Sequence, residues 1–367
     1  MADELRTAKS AERLAKDLKA PCSTSQNQHR FSKSEGRCFK PKEPDSSTES
    51  RTEVNRALLS ENVQKVVQVS STTQAGRLKD FASKWCEITN NQVILNWIKG
   101  YTIPFQHQPR QAKRLVNQKF SNTESKTIIE CLQALMTQGA VKKCIPTSNQ
   151  FISPFFLVKK PNGSERFILN LKHLNRFLKP PHFKMEDSRT VTKLIKENIF
   201  MATIDLKDAY FLLPIRKSDR KYIRFKFREQ LYEFTCMPFG LSTAPYAFTK
   251  LMKPVTSFLR IHNIVCVVYL DDFLIFGKSE QSCQNNVKTV ITLLQNLGFI
   301  INFEKSNCQP SQRCKFLGFV FDSVKMRISL PREKWIGQTH PLADSLTLMA
   351  GIVSGKRINK EVSQKKQ

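Results

Sequence analysis

Two adjacent aspartates, Asp271 and Asp272, interrupt a strongly apolar stretch, VVYLDDFLIF (residues 267–276). The apolar residues on either side predict the two strands of a hairpin, which places both carboxylates near the edge of a core. Two like charges held there raise the free energy of the folded state unless cations share the site. Because aspartate is also a common turn residue, this motif alone fits a plain hairpin turn as well as a metal site.

A third carboxylate, Asp205, ends another apolar stretch, in FMATIDLKDAYFLLPI (residues 200–215). Carboxylates at the ends of two separate strands can converge on one point, and oxygen ligands of this kind suit Mg²⁺. Two such ions can activate an attacking oxygen and stabilise a leaving one in phosphoryl transfer. Asp208 is a second candidate for the same site, although a surface or capping aspartate explains it equally well.

The elements that must position these residues are a mixture of short strands and helices. A capping box at Ser121 and Glu124 predicts the start of a helix that Gly139 ends. Helical spacing predicts further helices over residues 244–263 and 280–297. Strands are predicted over residues 155–160, 166–171, 201–205 and 222–227, in LYEFTCMPFG, in both halves of the Asp271 hairpin, in GFIINF and in KFLGFVF. Because strands and helices interleave without a regular repeat, the sequence predicts an α+β fold.

The charge of the chain favours a polyanionic partner. The 367 residues include 59 Lys and Arg against 31 Asp and Glu, a formal net charge of +28. Nucleic acid is the common partner of so basic a protein, and a merely soluble basic surface is the alternative. The ten cysteines show no metal-ligand spacing, and the sequence contains no secretory signal or membrane-spanning apolar run. We therefore expect an intracellular protein of the cytoplasm or nucleus, with free thiols and no membrane partner.

Tyr269-Leu270-Asp271-Asp272 resembles the YxDD box of reverse transcriptases, and the other blocks of that family occur in the same order. The family's fingers hairpin is similar to SPFFLVKKPNGSERFILNLKHLN, and its first catalytic-aspartate motif is similar to ATIDLKDAYFLLPI. Its template- and nucleotide-supporting block resembles FTCMPFGLSTAPYAFTKLM, and its lysine-bearing segment and primer grip resemble LGFIINFEKSNC and KFLGFVF. The match covers residues 127–332. The sequence of these blocks, together with ILNWIKGYTIPF and HFKMED, is most similar to DIRS-type or gypsy-type retroelement polymerases.

The resemblance implies the fingers and palm of a right-hand polymerase, with an antiparallel palm sheet packed on helices and a thumb that is reduced or absent. Residues 123–333 would be the reverse transcriptase domain, preceded by a helical and loop extension over residues 76–122. Residues 1–75 have the composition of a disordered basic arm. Residues 334–367 would be a truncated tail, too short for RNase H, so we expect no RNase H activity.

The resemblance also implies a catalytic metal site. Asp205 and Asp271 match the metal-binding pair, with the Leu206 carbonyl as an additional ligand. Asp272 matches the supporting aspartate, and these three aspartates would be the catalytic residues. The implied cofactor is two Mg²⁺ ions, for which Mn²⁺ is a substitute.

The family motifs assign further residues to the substrates. Lys160 and Arg166 match the residues that hold the triphosphate, and Tyr210 matches the residue under the sugar, where its ring would exclude a 2′-hydroxyl. Leu317 and Gly318 match the primer grip. The full set of expected substrate-binding residues is Lys160, Arg166, Asp208, Ala209, Tyr210, Phe239, Gly240 and Lys305. The sequence departs from the family at Asn170 and Lys172, where relatives often have Asp and Arg, and at Phe239, where retroviral relatives often have Gln.

The function implied is RNA-directed DNA polymerase, a nucleotidyltransferase that adds dNTPs to a primer on an RNA or DNA template. One alternative is a catalytically inactive retroelement remnant that only binds nucleic acid. Another is a two-metal nuclease, which would explain the aspartates but not the fingers block. The oligomeric state and the template preference stay open at this point.

Overall fold

The computed structural model describes residues 74–111, 118–159, 163, 165–329, 331 and 346–347. Residues 346 and 347 are described by their backbone alone. The helices in these ranges are α1 (Ala82–Ile88), α2 (Gln92–Gly100), α3 (Asn122–Thr137), α4 (Ser188–Leu194), α5 (Ala244–Ile261) and α6 (Glu280–Asn296). The strands are β1 (Val141–Cys144), β2 (Phe155–Lys159), β3 (Glu165–Leu169), β4 (Phe200–Asp205), β5 (Arg224–Phe227), β6 (Gln230–Phe234), β7 (Cys266–Tyr269), β8 (Asp272–Gly277), β9 (Asn307–Ser311), β10 (Arg313–Phe316), β11 (Phe319–Asp322), β12 (Arg327–Ser329) and β13 (Leu346–Thr347). The prediction of an α+β fold is confirmed.

The palm-like part is an antiparallel sheet with the strand order β7–β8–β4–β9. Helix α6 packs on β8 and β4, and α5 packs on β7. Along β8, Phe273 and Ile275 belong to the core on the helix side, whereas Leu274 and Phe276 belong to a second core that includes Phe321 of β11. The sheet is covered on both faces, which explains why the stretches around Asp271 are continuously apolar instead of alternating.

The fingers-like part consists of a three-stranded antiparallel sheet, β1–β6–β5, and the separate β2–β3 hairpin. Aromatic rings join the two. The ring centroids of Phe155 and Phe167 are 4.6 Å apart, and Phe225 lies 5.5 Å and 4.9 Å from them. The strand predicted over residues 222–227 begins only at Arg224, because Tyr222 ends a 3₁₀-helix.

The predicted helix signals are confirmed. The Ser121 hydroxyl accepts a hydrogen bond from the Glu124 amide at 3.2 Å, and the Glu124 carboxylate accepts one from the Ser121 amide at 2.8 Å. Gly139 follows the end of α3 with a φ of 73°. The helices predicted over residues 244–263 and 280–297 are α5 and α6, each ending slightly earlier than expected.

The strand predicted in GFIINF (residues 298–303) is wrong. This segment forms only an isolated bridge between Ile301 and Leu206. Its conformation follows from Phe299, whose ring packs in the core at 5.9 Å from Trp85 and 6.2 Å from Phe248. The strand that flanks β4 on this side is β9, which the sequence did not indicate.

The remaining predictions fall partly outside the described ranges. Residues 1–73 and nearly all residues after 331 lie outside them, so the basic arm, the tail and the reduced thumb stay predictions. None of the cysteines in the described ranges forms a disulfide. Within the same ranges, no helix combines the length and the apolar character needed to cross a bilayer.

Candidate active site

The turn of the β7–β8 hairpin carries the first carboxylate. Tyr269 pairs with Asp272, which leaves Leu270 and Asp271 as a two-residue loop. Leu270 adopts a φ of 56°, a conformation that residues other than glycine adopt rarely and that tight hairpin loops require. The loop therefore turns sharply between two buried strands and presents Asp271 at the sheet edge.

The second carboxylate lies on the neighbouring strand. Asp205 is the last residue of β4 and pairs directly with Asp272 across the β4–β8 ladder. The Leu206 amide, one residue on, donates a hydrogen bond to the Asp271 carbonyl at 2.9 Å. The three aspartates thus come from two strand ends that are hydrogen-bonded to each other.

Next to these strand ends is a cavity of about 420 Å³. Nine of its lining residues belong to the set singled out from the sequence: Arg166, Asp205, Leu206, Asp208, Ala209, Tyr210, Phe239, Asp271 and Lys305. Five others were missed: Gln138, Lys207, Phe248, Leu270 and Asn302. Asp272, Gly240, Leu317 and Gly318 are not part of the lining, and Lys160 lies outside the described residues.

Burial and neighbouring carboxylates raise the pKa of both aspartates at the hairpin. Burial raises the pKa of Asp271, and the nearby Asp205 adds to this effect. For Asp272, burial together with the charges of Asp271 and Asp205 raises the pKa to about 6. Lys305 acts in the opposite direction on both groups. Burial and the proximity of like charges thus disfavour the ionised carboxylates, and a bound cation would offset this cost.

The donor set fits a magnesium site that water and substrate complete. In the described part of the chain, no three His, Cys, Asp or Glu side chains converge closely enough to form a full ligand cluster. Mg²⁺ does not require one, because it keeps several waters and is usually held by one or two carboxylates and by substrate phosphates. Asp205 and Asp271, which face one cavity, provide such a pair.

One wall of the cavity is formed by the segment that follows Asp205. Asp208 adopts the left-handed conformation (φ 49°, ψ 38°) and begins the 3₁₀-helix Ala209–Leu212. The ring of Tyr210 packs edge-on against Phe239 at 5.6 Å and Phe248 at 5.5 Å. Burial and the nearby Asp271 raise the pKa of Tyr210 to about 12, so its hydroxyl keeps its proton at neutral pH.

The turn at Phe239 and Gly240 lies beside this wall, and Phe239 lines the cavity. Gly240 has a φ of 93°, and a Cβ there would lie 3.0 Å from the Leu169 carbonyl oxygen, so this position requires glycine. Asn175 holds the turn from both sides: its Nδ2 donates to the Gly240 carbonyl at 2.9 Å, and its Oδ1 accepts from the Ser242 amide at 3.0 Å. The Arg166 guanidinium lies over the Phe239 ring, 5.1 Å from its centroid.

Two of the residues that support the site were missed at the sequence level, Asn175 and Glu186. Glu186 accepts a hydrogen bond from the Val268 amide at 2.7 Å and forms an ion pair with Arg260 at 2.7 Å, so it fixes the outer edge of β7. Both lie inside blocks that resemble the family, Asn175 in LNLKHLN and Glu186 in HFKMED. The supporting contacts of each are visible only in the tertiary structure.

The residues matched to the primer grip form the tight turn between β10 and β11. Leu317 has a φ of 48° and Gly318 a φ of 78°. Leu317 and Tyr269 both pack against the second core, which is built around Val267 and Phe321. The β10–β11 turn and the Asp271 hairpin therefore pack against the same apolar core.

Comparison with known proteins shows what this part of the chain is similar to. Residues 158–321 match the family "Reverse transcriptase (RNA-dependent DNA polymerase)". The Transposon Tf2-3 and Tf2-7 polyproteins of Schizosaccharomyces pombe are 32% and 31% identical to the chain over 166 residues, which is 45% of this chain but 12% of each polyprotein. The chain thus spans a small part of the curated relatives that it matches.

Solved structures show the same fold. The foamy viral protease-reverse transcriptase in complex with ds DNA aligns with a TM-score of 0.56 and 20% identity, over 72% of this chain and 49% of that one. The same viral protein in complex with an RNA/DNA hybrid aligns with a TM-score of 0.54 and 19% identity, over 71% and 38% of the two chains. Over residues 158–321, the chain is thus similar in sequence to the reverse transcriptase family and similar in fold to solved reverse transcriptases.

Proposed function

We propose that this domain is an RNA-directed DNA polymerase, which joins the 3′-hydroxyl of a primer to the α-phosphate of a dNTP and releases pyrophosphate. The observation that carries the proposal is the shared cavity, in which Asp205 and Asp271 face Arg166, Lys305 and Tyr210. The lining includes three aspartates and three cationic residues, Arg166, Lys207 and Lys305, and such a cavity is suited to a metal-bound triphosphate.

Asp205 and Asp271 would hold two Mg²⁺ ions, with Mn²⁺ as a substitute, and the Leu206 carbonyl would be an additional ligand. Asp272 would support them from the adjacent ladder position. Divalent ions supply charge neutralisation at the attacking and leaving oxygens of phosphoryl transfer. The role of the protein is to fix the two carboxylates at the ends of paired strands, so that the reacting oxygens are held in line.

The remaining side chains of the cavity would position the nucleotide. Arg166 and Lys305 would bind the triphosphate, together with Lys160, which lies outside the described residues. The Tyr210 ring, held between Phe239 and Phe248, would lie under the sugar and exclude a 2′-hydroxyl. Asp208, Ala209 and the Gly240 turn would complete the pocket, and Leu317 with Gly318 would hold the primer end.

A primed RNA or DNA template is the proposed partner. The net charge of +28 supports backbone binding that is independent of sequence and weakens steeply with salt. The solved viral reverse transcriptases of the same fold are in complex with ds DNA and with an RNA/DNA hybrid. The similarity to Tf2 polyproteins supports a retroelement source, and we propose a DIRS-type or gypsy-type element with the domain boundaries given above.

Extension of a labelled DNA primer with Mg²⁺ and dNTPs, on RNA and on DNA templates, tests this function. We expect template-dependent elongation. A parallel reaction without dNTPs distinguishes the nuclease alternative, which would shorten the labelled strand. Tight template binding with no elongation under Mg²⁺ or Mn²⁺ would overturn the proposal and support the inactive remnant.

A further inference from the structure

On the side facing β9, the regular strand pairing of β4 stops before the active site. Its pairing with β9 shifts register between Met201, which pairs with Ser311, and Thr203, which pairs with Asn307. Beyond Thr203, the loop that precedes β9 turns towards the cavity, which Asn302 lines. The backbone polar groups of Asp205 must therefore find partners in this loop and not in a strand.

Ser306 provides one of these partners through its side chain. Its hydroxyl accepts a hydrogen bond from the Asp205 amide at 3.0 Å and donates one to the Asn302 carbonyl at 2.7 Å. The Asn302 amide in turn donates to the Asp205 carbonyl at 2.8 Å. A serine hydroxyl is a single donor that also accepts, and this one does both, which closes a ring of hydrogen bonds.

The same ring of hydrogen bonds fixes the backbone of Lys305, whose side chain is cationic. The Asn302 carbonyl also accepts from the Lys305 amide at 3.2 Å and from the Ser306 amide at 2.9 Å. The loop is thus a tight turn that projects Lys305 into the cavity. A main-chain carbonyl opposite Asp205 would require the chain to continue as a strand. A short hydroxyl in its place lets the chain turn away.

We propose that Ser306 is a positioning residue. By linking the backbone of Asp205 to the loop of Lys305, it fixes the carboxylate and the ammonium relative to each other, so that a metal and a triphosphate are bound together. This inference rests on the proposed polymerase function for its kinetic consequences. Its consequence for metal binding by Asp205 does not need turnover.

Ser306→Ala tests the proposal, and Ser311→Ala is a control at the far end of β9, the strand that Ser306 directly precedes. The Ser311 hydroxyl also makes two hydrogen bonds, accepting from the Arg313 amide at 3.1 Å and donating to the Arg313 carbonyl at 2.9 Å, but neither reaches Asp205. A merely structural role therefore predicts a loss of thermal stability in both variants, smaller for Ser311, whose hydrogen bonds are the more exposed, and no specific change at the site. Ser306→Thr keeps the hydroxyl and serves as the rescue variant.

The measurements are the Mn²⁺ dissociation constant by electron paramagnetic resonance, and kcat and KM for dNTP in primer extension. For Ser306→Ala we expect Mn²⁺ binding weakened about five-fold and kcat/KM lowered about ten-fold, with a raised KM, because two hydrogen bonds are lost. Ser306→Thr should recover most of both, and Ser311→Ala should match the wild type. Wild-type Mn²⁺ affinity and KM in Ser306→Ala would overturn the proposal, as would equal losses in Ser311→Ala.

The outcomes separate the two proposals. If the wild type binds Mn²⁺ but extends no primer, the polymerase function fails while the Mn²⁺ comparison still decides the role of Ser306. If the wild type binds no Mn²⁺ at all, the metal-positioning role of Ser306 is refuted as well.

Discussion

The buried charges of the fingers-like sheet are paired within the protein, whereas those at the β7–β8 hairpin repel one another. Arg224 and Glu233 are each 6% exposed, and two guanidinium nitrogens of Arg224 lie 3.0 Å and 2.7 Å from one carboxylate oxygen of Glu233. The third nitrogen donates to the Thr147 hydroxyl at 2.8 Å and to the Gln150 side chain at 2.7 Å. Lys142 approaches the second Glu233 oxygen at 3.2 Å.

The hairpin region is arranged in the opposite way. Asp205, Asp271 and Asp272 are brought together by strand pairing, and the pKa values of Asp271 and Asp272 are raised by burial and by their neighbours. A charged group whose partners all lie within the protein stabilises the fold but is not available to bind a ligand. A cluster of like charges raises the free energy of the apoprotein and lowers it again when cations bind.

The largest expected effect is at the hairpin, on activity. Asp271→Asn removes a charge that would hold the metal, and we expect primer extension to fall about a thousand-fold or more. Folding and affinity for an RNA–DNA duplex should be unchanged, because Asn fits the same turn. Steady-state extension and duplex binding by fluorescence anisotropy check both parts. Extension at the wild-type rate would show that Asp271 holds no catalytic metal, and the contrast between the two regions would then fail.

The next effect is at the paired region, on stability. Glu233→Ala leaves the buried Arg224 guanidinium without its carboxylate, and we expect a loss of about 3–5 kcal/mol in the free energy of unfolding. Urea denaturation measures this loss. Glu229→Ala is the control, because its ion pair with Lys226 lies at the surface, with the Glu229 side chain 88% exposed, and should cost less than about 1 kcal/mol. Equal losses would show that the Arg224 network is not a distinct stabilising unit.

A smaller effect is expected where an arginine faces the cavity. Arg166→Lys keeps the charge but loses the planar group that lies over Phe239 and can bind a phosphate through two nitrogens. We expect KM for dNTP to rise about ten-fold, with a smaller change in kcat. Lys143→Ala, on the exposed side of β1, should leave both constants unchanged. A change confined to kcat would argue against a role in nucleotide binding.

The smallest effect concerns pH and the apoprotein. The folded-state pKa of Asp272 is about 6, above its ordinary value of 3.8. The unfolded chain therefore ionises first as pH rises, and the contribution of Asp272 to stability is complete below pH 3.8 and lost as pH rises through about 6. In EDTA, Asp272→Asn should flatten this loss and slightly raise Tm at pH 7. A lower Tm for the variant at pH 7 would contradict the charge repulsion.

Local signals in the sequence were sufficient for much of this architecture. The capping box at Ser121 and the apolar runs around Asp271 each depend on neighbours within a few residues, and the structure confirms the elements they predicted. The segment around Phe299 was mistaken for a strand because an apolar run does not reveal whether its side chains pack in a sheet or in an aromatic cluster.

The support of the site could not be predicted in the same way. Ser306 reaches Asp205 across 101 residues and Asn175 reaches Gly240 across 65, and a serine or an asparagine alone indicates no particular partner. The family resemblance gave the residues that would touch the substrate, whereas the residues that hold them in place depend on tertiary contacts.

The most direct test of the central claim is a Mn²⁺ titration followed by electron paramagnetic resonance, on the wild type and on Asp205→Asn and Asp271→Asn. The claim is that two carboxylates at paired strand ends hold the catalytic cations. It predicts saturable Mn²⁺ binding in the wild type that strengthens when primed template and dNTP are added, and that each substitution weakens severely. Unchanged Mn²⁺ binding in both variants would contradict it.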